Sequence, residues 1–144
     1  MKKIFGCIFF ICCLSSILTS CGIDREYEFY QPISCIERIE IISASQIVAA
    51  SVEELKTIEP VYVIDKARWD TFFECFCEVP CFAYFTDPAQ MIIGDAIRII
   101  YQDGSYELVC VYSGLHLPVN EKAYYPPYYF SSEEFSNLIS DFVD

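Results

Sequence analysis

The chain has 144 residues, which is room for one domain of ordinary size. It carries 21 acidic against 9 basic side chains, and this formal net charge of −12 excludes binding to nucleic acid through basic attraction. Apolar residues make up 54% of the chain and recur throughout residues 33–143, so intrinsic disorder is excluded as well.

The first 20 residues are far more apolar than the rest of the chain, and they contain Lys2 and Lys3 but no acidic residue. Two basic residues followed by an apolar run are typical of a secretory signal peptide. The run is about fifteen residues long, whereas a helix that spans a bilayer needs ~20. The sequence therefore predicts a cleaved signal peptide over residues 1–20.

A short motif closes this segment: Leu18-Thr19-Ser20-Cys21. It resembles the lipobox of bacterial membrane lipoproteins, in which a leucine and two small residues precede a cysteine. The resemblance implies that Cys21 receives diacylglycerol, with or without a further N-acyl chain, and becomes the first mature residue. Two or three acyl chains anchor a protein stably, so the expected location is the extracytoplasmic face of a bacterial membrane. The alternatives are an ordinary secreted protein and an uncleaved N-terminal anchor.

Residues 21–32 are predicted to be the lipidated N-terminus and a tether, because they are charged and lack sustained periodicity. The single folded domain is predicted over residues 33–144. Its first element is a strand over residues 33–42, which are rich in β-branched side chains. Residues 43–59 fit neither a strand nor a helix along their length and are predicted to be mostly irregular.

A short strand is predicted over residues 60–64, and Asp65 is a candidate N-cap for the helix that follows. This helix is predicted over residues 66–78, because four aromatic residues recur at helical spacing and form one stripe. They are Trp69, Phe72, Phe73 and Phe76. The stripe predicts a helix that faces the core.

The clearest pair of elements is a β-hairpin, with strands predicted over residues 96–101 and 106–112 around Asp103-Gly104. Residues 114–130 contain three prolines and are predicted to be a long connection. The chain then ends in an amphipathic helix with a Ser131-x-x-Glu134 capping box. Its apolar stripe consists of Phe135, Leu138, Ile139 and Phe142.

The predicted element order is ββαββα, which indicates an α+β fold. We expect an antiparallel sheet of about four strands with both amphipathic helices on one face. The mature region also resembles small uncharacterised lipoproteins of Gram-positive bacteria over about residues 33–143. The stretches PCFAYFTDP and IRIIYQDGSYEL, at residues 80–88 and 97–108, carry most of that likeness. The resemblance implies a location and a fold, and no chemistry.

Five cysteines follow Cys21, and an odd number is unusual for an exported disulfide scaffold. They are Cys35, Cys75, Cys77, Cys81 and Cys110. The spacing of Cys75, Cys77 and Cys81 is that of a possible metal or redox site, but in a helix the first two point about 200° apart. The favoured interpretation is therefore a mixture of buried thiols with at most one disulfide, and no metal site is predicted.

The only histidine, His116, follows the hairpin, and nothing in the sequence places it beside a thiol as a nucleophilic pair requires. Motifs of serine hydrolases, phosphate-binding loops and HExxH zinc sites are absent from the sequence. Paired carboxylates among the 21 acidic residues leave a small hydrolase open as a third interpretation.

The most unusual stretch is Tyr124-Tyr125-Pro126-Pro127-Tyr128-Tyr129. Prolines stiffen such a segment, and exposed tyrosines bind sugars and peptides at little entropic cost. Tyr124, Tyr125, Tyr128 and Tyr129 are therefore a candidate binding surface, and the alternative is a loop whose rings fill the edge of the core.

The sequence thus predicts a lipid-anchored, non-catalytic binding domain of the cell envelope. Its expected partners are the membrane, reached through the lipid, and a protein, peptide or glycan of the envelope. The alternative is a thiol-dependent redox or metal-handling protein that uses Cys75, Cys77 and Cys81.

Overall fold

The computed structural model describes residues 23–48, 50–83, 94–112, 114–119, 122, 126 and 128–143. The predicted signal peptide and the predicted lipidation site, Cys21, lie outside this part of the chain. The strands are β1 Ile23–Asp24, β2 Ile36–Ile42, β3 Tyr62–Val63, β4 Cys81–Ala83, β5 Ala96–Tyr101, β6 Tyr106–Val109, β7 Gly114–Leu117 and β8 Tyr128–Phe130. The helices are α1 Ala44–Ile47, α2 Trp69–Glu78 and α3 Ser132–Val143, with 3-10 turns at Ile33–Cys35, Glu54–Lys56 and Lys66–Arg68.

The strands form two antiparallel sheets. The larger has five strands in the order β3-β2-β5-β6-β7, and the smaller has three in the order β1-β4-β8. Mixed helix and sheet confirm the α+β class. The predicted count of about four strands and the order ββαββα are wrong, because strands also form in segments that lack a local strand pattern.

Two of these unexpected strands lie in the predicted long connection of residues 114–130. β7 pairs with β6 and so extends the hairpin into a three-stranded meander, and β8 pairs with β4. Each has three or four residues, which is too short for alternation to be recognised in the sequence. Pairing with a distant or preceding strand therefore decides their conformation.

The local patterns that were predicted with a clear mechanism are present. Gly104 occupies the turn between β5 and β6 at a φ of 84°, as the Asp-Gly pair requires. The Asp65 side chain accepts a hydrogen bond from the Ala67 amide and caps the turn that leads into α2. Ser131 and Glu134 bond to each other at the start of α3, whose four stripe residues are all buried.

The main core lies between the larger sheet and α2, α3 and the smaller sheet. It includes Ile39, Ile97 and Ile99 from the larger sheet together with Phe72 and Phe76 of α2, all at most 1% exposed. The opposite face of the larger sheet is covered by the segment after β2. There the side chains of Ile47 and Leu55 pack in a second cluster with residues of β5, β6 and β7.

A buried ion pair fixes this second face. Arg98 of β5 lies directly opposite Glu40 of β2, and Arg98 Nε donates to Glu40 Oε2 at 2.5 Å. The other guanidinium nitrogens donate to the carbonyl oxygens of Leu55 and Ile58 at 2.6 and 2.7 Å. Arg38, which is largely exposed, reaches the second Glu40 oxygen at 2.7 Å. Arg98 therefore ties the irregular segment to the sheet.

Candidate functional site

The segment predicted as a tether is part of the folded domain, which corrects that prediction. Ile23 and Asp24 pair with β4 as the edge strand β1, and the Arg25 amide donates to the Cys81 carbonyl at 2.9 Å. Tyr27 and Phe29 then pack against the main core. Backbone pairing and two aromatic rings together overcome the charged, aperiodic character from which a tether was predicted.

A cavity of about 770 Å³ lies where this segment meets the end of α2 and the start of β4. Its lining combines three aromatic rings, two aliphatic residues, three charged side chains and two thiols. These residues are Arg25, Glu26, Tyr27, Phe29, Phe76, Cys77, Glu78, Val79, Pro80 and Cys81. A volume of 300–1,000 Å³ with a mostly apolar wall is the range in which proteins bind small molecules. We call it the larger cavity.

The aromatic rings in the wall of the larger cavity pack against one another. The Tyr27 ring stands edge to face against Phe29 and Phe76, at centroid distances of 5.1 and 5.3 Å. Phe29 and Phe76 are 5.5 Å apart, and Phe29 also makes an edge contact with Phe73 at 5.7 Å. Such edge contacts hold rings in fixed orientations, so this wall is preformed.

Behind the segment lies a polar cluster centred on Glu107, which is completely buried on β6. Tyr27 and Tyr101 donate their hydroxyls to its carboxylate, the former at 2.6 Å. The Tyr30 amide approaches Glu107 Oε2 at 3.4 Å, and His116 Nε2 lies 2.9 Å from the same oxygen. Because buried carboxylates are costly unless they accept hydrogen bonds, this cluster holds the N-terminal segment on the domain.

The tyrosines of this cluster are held in the protonated form. Burial raises the pKa of Tyr27 well above its ordinary value, and the nearby Tyr128 and Glu107 raise it further. Burial and then Glu107 likewise raise the pKa of Tyr101. The pKa of Tyr128 is also raised by burial, although its hydrogen bond with Tyr27 acts in the opposite direction. These hydroxyls therefore serve as hydrogen-bond donors at neutral pH.

A smaller cavity of about 150 Å³ lies on the other side of Arg25–Tyr27. Both His116 and Cys81 line it, so the structure brings the only histidine towards a thiol, although no sequence pattern predicts that proximity. Burial raises the pKa of the Cys81 thiol to about 11. A thiol with such a pKa is protonated at neutral pH and is a poor nucleophile.

The three cysteines of the predicted alternative site do not act as a group. Cys77 is exposed and Cys81 is buried, and both line the larger cavity. Cys75 instead packs against the main core, as the helical geometry predicts. Within the described residues, no group of three or more histidine, cysteine or acidic side chains is placed to hold a metal ion. Cys110, which directly follows β6, is buried with its Sγ 3.4 Å from the Tyr112 carbonyl oxygen.

The predicted tyrosine surface is only partly described. Tyr124 and Tyr125 lie outside the described residues, so their prediction stays open. Tyr128 is buried in the core, with its ring against Tyr27 at 4.9 Å, which removes it from any surface. Tyr129 is half-buried and stacks on Phe82 at 5.1 Å. Tyr128 therefore fills the core edge, as the alternative interpretation of this loop expects.

Close packing around Tyr128 also explains a glycine. A Cβ at Gly114 would lie 2.6 Å from the Leu108 carbonyl oxygen and would collide with the Tyr128 hydroxyl. Only glycine fits this position on β7 without displacing one of these neighbours.

Sequence reasoning did not find the residues that build the larger cavity from the N-terminal side. Tyr27 and Phe29 alternate with Glu26 and Glu28, and this short alternation was the signal of an extended, half-buried segment. Comparison of the chain with protein-family models, with curated proteins and with solved structures finds no match.

Proposed function

We propose that this chain is a lipid-anchored protein of the bacterial cell envelope whose folded domain binds a ligand without transforming it. The larger cavity is the observation that carries the binding part of the proposal. It has the volume of a small-molecule site, and its aromatic wall is fixed by contacts within the domain. The anchoring part rests on the lipobox-like motif that ends at Cys21.

The arrangement of side chains supports binding over catalysis. The histidine, carboxylate and tyrosine groups closest to the cavities are engaged with one another around Glu107. The Cys81 thiol has a pKa of about 11, which disfavours the thiolate that redox or nucleophilic chemistry requires. The larger cavity, by contrast, offers rigid rings and exposed charges, the combination that orients a bound molecule.

Anchoring is tested by the intact mass of the protein extracted from bacterial membranes. We expect a polypeptide that starts at Cys21 and carries diacylglycerol, with or without an N-acyl chain. The variant Cys21→Ser should retain residues 1–20 and carry no lipid, whereas Cys77→Ser, which changes a thiol of the folded domain, should be processed normally. Unlipidated wild-type protein in the membrane fraction would overturn the anchoring part of the proposal.

Ligand binding is tested at Cys77, whose exposed thiol lines the larger cavity. An environment-sensitive fluorophore attached there should respond to a ligand that enters. The probes are muropeptides, chitin oligosaccharides, short peptides and single-chain amphiphiles, each titrated against the labelled domain. We expect one class to saturate the signal, and the variant Phe29→Ala, which removes part of the wall, to weaken it at least tenfold. If no class gives saturation, the binding proposal fails.

Alkylation of the thiols in the native protein separates binding from the thiol-dependent alternative. Native alkylation should modify Cys77 quickly, and Cys81 should react only after denaturation, because it is buried and protonated. Rapid native alkylation of Cys81 would favour thiol chemistry over binding.

A further inference from the structure

The charges around the larger cavity are unevenly distributed. Glu26 and Glu78 line it and are exposed, so both carboxylates are available to a bound molecule. Among the described residues of the lining, Arg25 is the one basic side chain, and its guanidinium is already 3.3 Å from the Glu28 carboxylate. The net effect is a negative potential at an aromatic cavity.

Aromatic rings and carboxylates attract the same kind of ligand. The face of an aromatic ring carries partial negative charge and binds an ammonium or guanidinium group within about 6 Å. Tyr27 and Phe29, which are half-buried, supply two such rings beside the two carboxylates. The whole chain adds a formal charge of −12, which raises the local concentration of cations and repels anions.

From this juxtaposition we infer that the larger cavity binds an organic cation, an ammonium group attached to an apolar body. The apolar body occupies the space along Phe76, Val79 and Pro80, and the ammonium group lies between the rings and the carboxylates of Glu26 and Glu78. An anionic amphiphile of the same length is rejected, because its head would face two carboxylates. The inference rests on the proposed function, since it names the ligand class of the same cavity.

The test is isothermal titration calorimetry of the unlabelled domain with octyltrimethylammonium, octanoate and octanol, which share one apolar chain and differ in the charge of the head. We expect octyltrimethylammonium to bind at least tenfold more tightly than either of the others. Its affinity should fall as salt is added, because the carboxylates are exposed and therefore screened.

Two matched variants locate the charge that matters. Glu78→Gln should weaken octyltrimethylammonium about tenfold and leave octanol unchanged. Glu74→Gln, one turn earlier on α2 and outside the cavity lining, should change neither. Both positions are exposed, so thermal unfolding should be nearly unchanged, and hydrogen exchange should show protection at residues 25–29 and 76–81 with the cation.

The outcomes separate the two proposals. If octyltrimethylammonium, octanoate and octanol bind equally, the cavity is a ligand site and the inference of an organic cation is overturned. If Glu74→Gln weakens the cation as much as Glu78→Gln, the attraction comes from overall charge and the inference of a specific site is also overturned. If none of the three binds, this inference fails. The proposed function fails with it only when the wider set of probes at Cys77 is negative too.

Discussion

Two glutamates are buried on opposite faces of the five-stranded sheet, and they are held in different ways. Glu40 on β2 faces Arg98, a permanent cation that lies directly opposite it, and Arg38 bonds to its second oxygen. Glu107 on β6 is held by tyrosine hydroxyls and by His116, which lies directly opposite on β7.

The difference suggests that the two regions contribute differently to stability: the Glu40–Arg98 pair stabilises the core of the domain, and the Glu107 cluster stabilises the contact of the N-terminal segment with it. The Glu40–Arg98 ion pair is buried between the larger sheet and the segment after β2. Removal of either partner leaves the other as a buried charge without a counter-charge. The Glu107 cluster holds the N-terminal segment that walls the larger cavity, through the Tyr27 hydroxyl and the Tyr30 amide. We expect its loss to free this segment and to leave the rest of the core folded.

Replacing each glutamate by glutamine gives the largest expected effect and the most direct contrast. Glu40→Gln leaves the buried Arg98 guanidinium without its main counter-charge and should cost about 3–5 kcal/mol of unfolding free energy. Glu107→Gln keeps an oxygen that accepts from a tyrosine and should cost about 1–3 kcal/mol. Urea denaturation followed by circular dichroism measures both, and equal losses would remove the distinction.

Removing a single hydroxyl tests the release of the N-terminal segment. Tyr27→Phe deletes the 2.6 Å bond to Glu107 while keeping the ring, and should cost about 1.5–3 kcal/mol. Hydrogen exchange should become faster at residues 25–31 and stay slow in β2 and β5. Tyr30→Phe is the control, because Tyr30 uses its backbone amide and should change stability by less than about 0.5 kcal/mol. Faster exchange throughout the sheet would contradict a separable segment.

A methyl group at β7 tests how tightly the same region is packed. Gly114→Ala should destabilise the domain by about 1–3 kcal/mol, because the new Cβ meets the Leu108 carbonyl and the Tyr128 hydroxyl. Adding Tyr128→Phe removes the hydroxyl and should restore part of the loss. Additive losses in the double variant, measured by urea denaturation, would show that the hydroxyl is not the obstacle.

A separate effect is expected at alkaline pH. The pKa values of Tyr27, Tyr101 and Tyr128 are raised in the folded protein, so below about pH 10 both folded and unfolded chains keep these protons. Above that value the unfolded chain loses them first. Stability should therefore fall as pH rises, by up to about 1.4 kcal/mol per pH unit for each tyrosine.

Unfolding free energies at about pH 9 and about pH 11, with tyrosinate absorbance as the readout of ionisation, measure this slope. The variant Tyr27→Phe removes one of the three groups and should lower the slope accordingly. A flat profile would show that these hydroxyls ionise equally in both states.

The helices and turns that depend on neighbouring residues in the sequence were predicted correctly. The aromatic stripe of α2, the capping box of α3 and the Asp103-Gly104 turn each depend on residues within a few positions of one another, and all three are present. The α+β class follows from these elements. Short strands such as β7 and β8 depend on partners distant in sequence or on the preceding hairpin, and no local pattern marks them.

The candidate site was harder to predict for the same reason. Glu107 is a charged residue within a strand, and only its hydrogen-bond partners make its burial tolerable. Tyr27 and Phe29 stand in a charged stretch, and their burial requires α2 and β4 to be in place. Tyr128 was predicted to belong to a binding surface, and that prediction is wrong because its side chain lies in the core.

The docked N-terminus has one more consequence if Cys21 is acylated as proposed. A free tether over residues 22–32 would let the domain range up to ~36 Å from the bilayer. With β1 beginning at Ile23, two Cα steps, at most ~7 Å, separate the acylated residue from the folded body. The domain would then stay close to the lipid surface, and its partners would be met there.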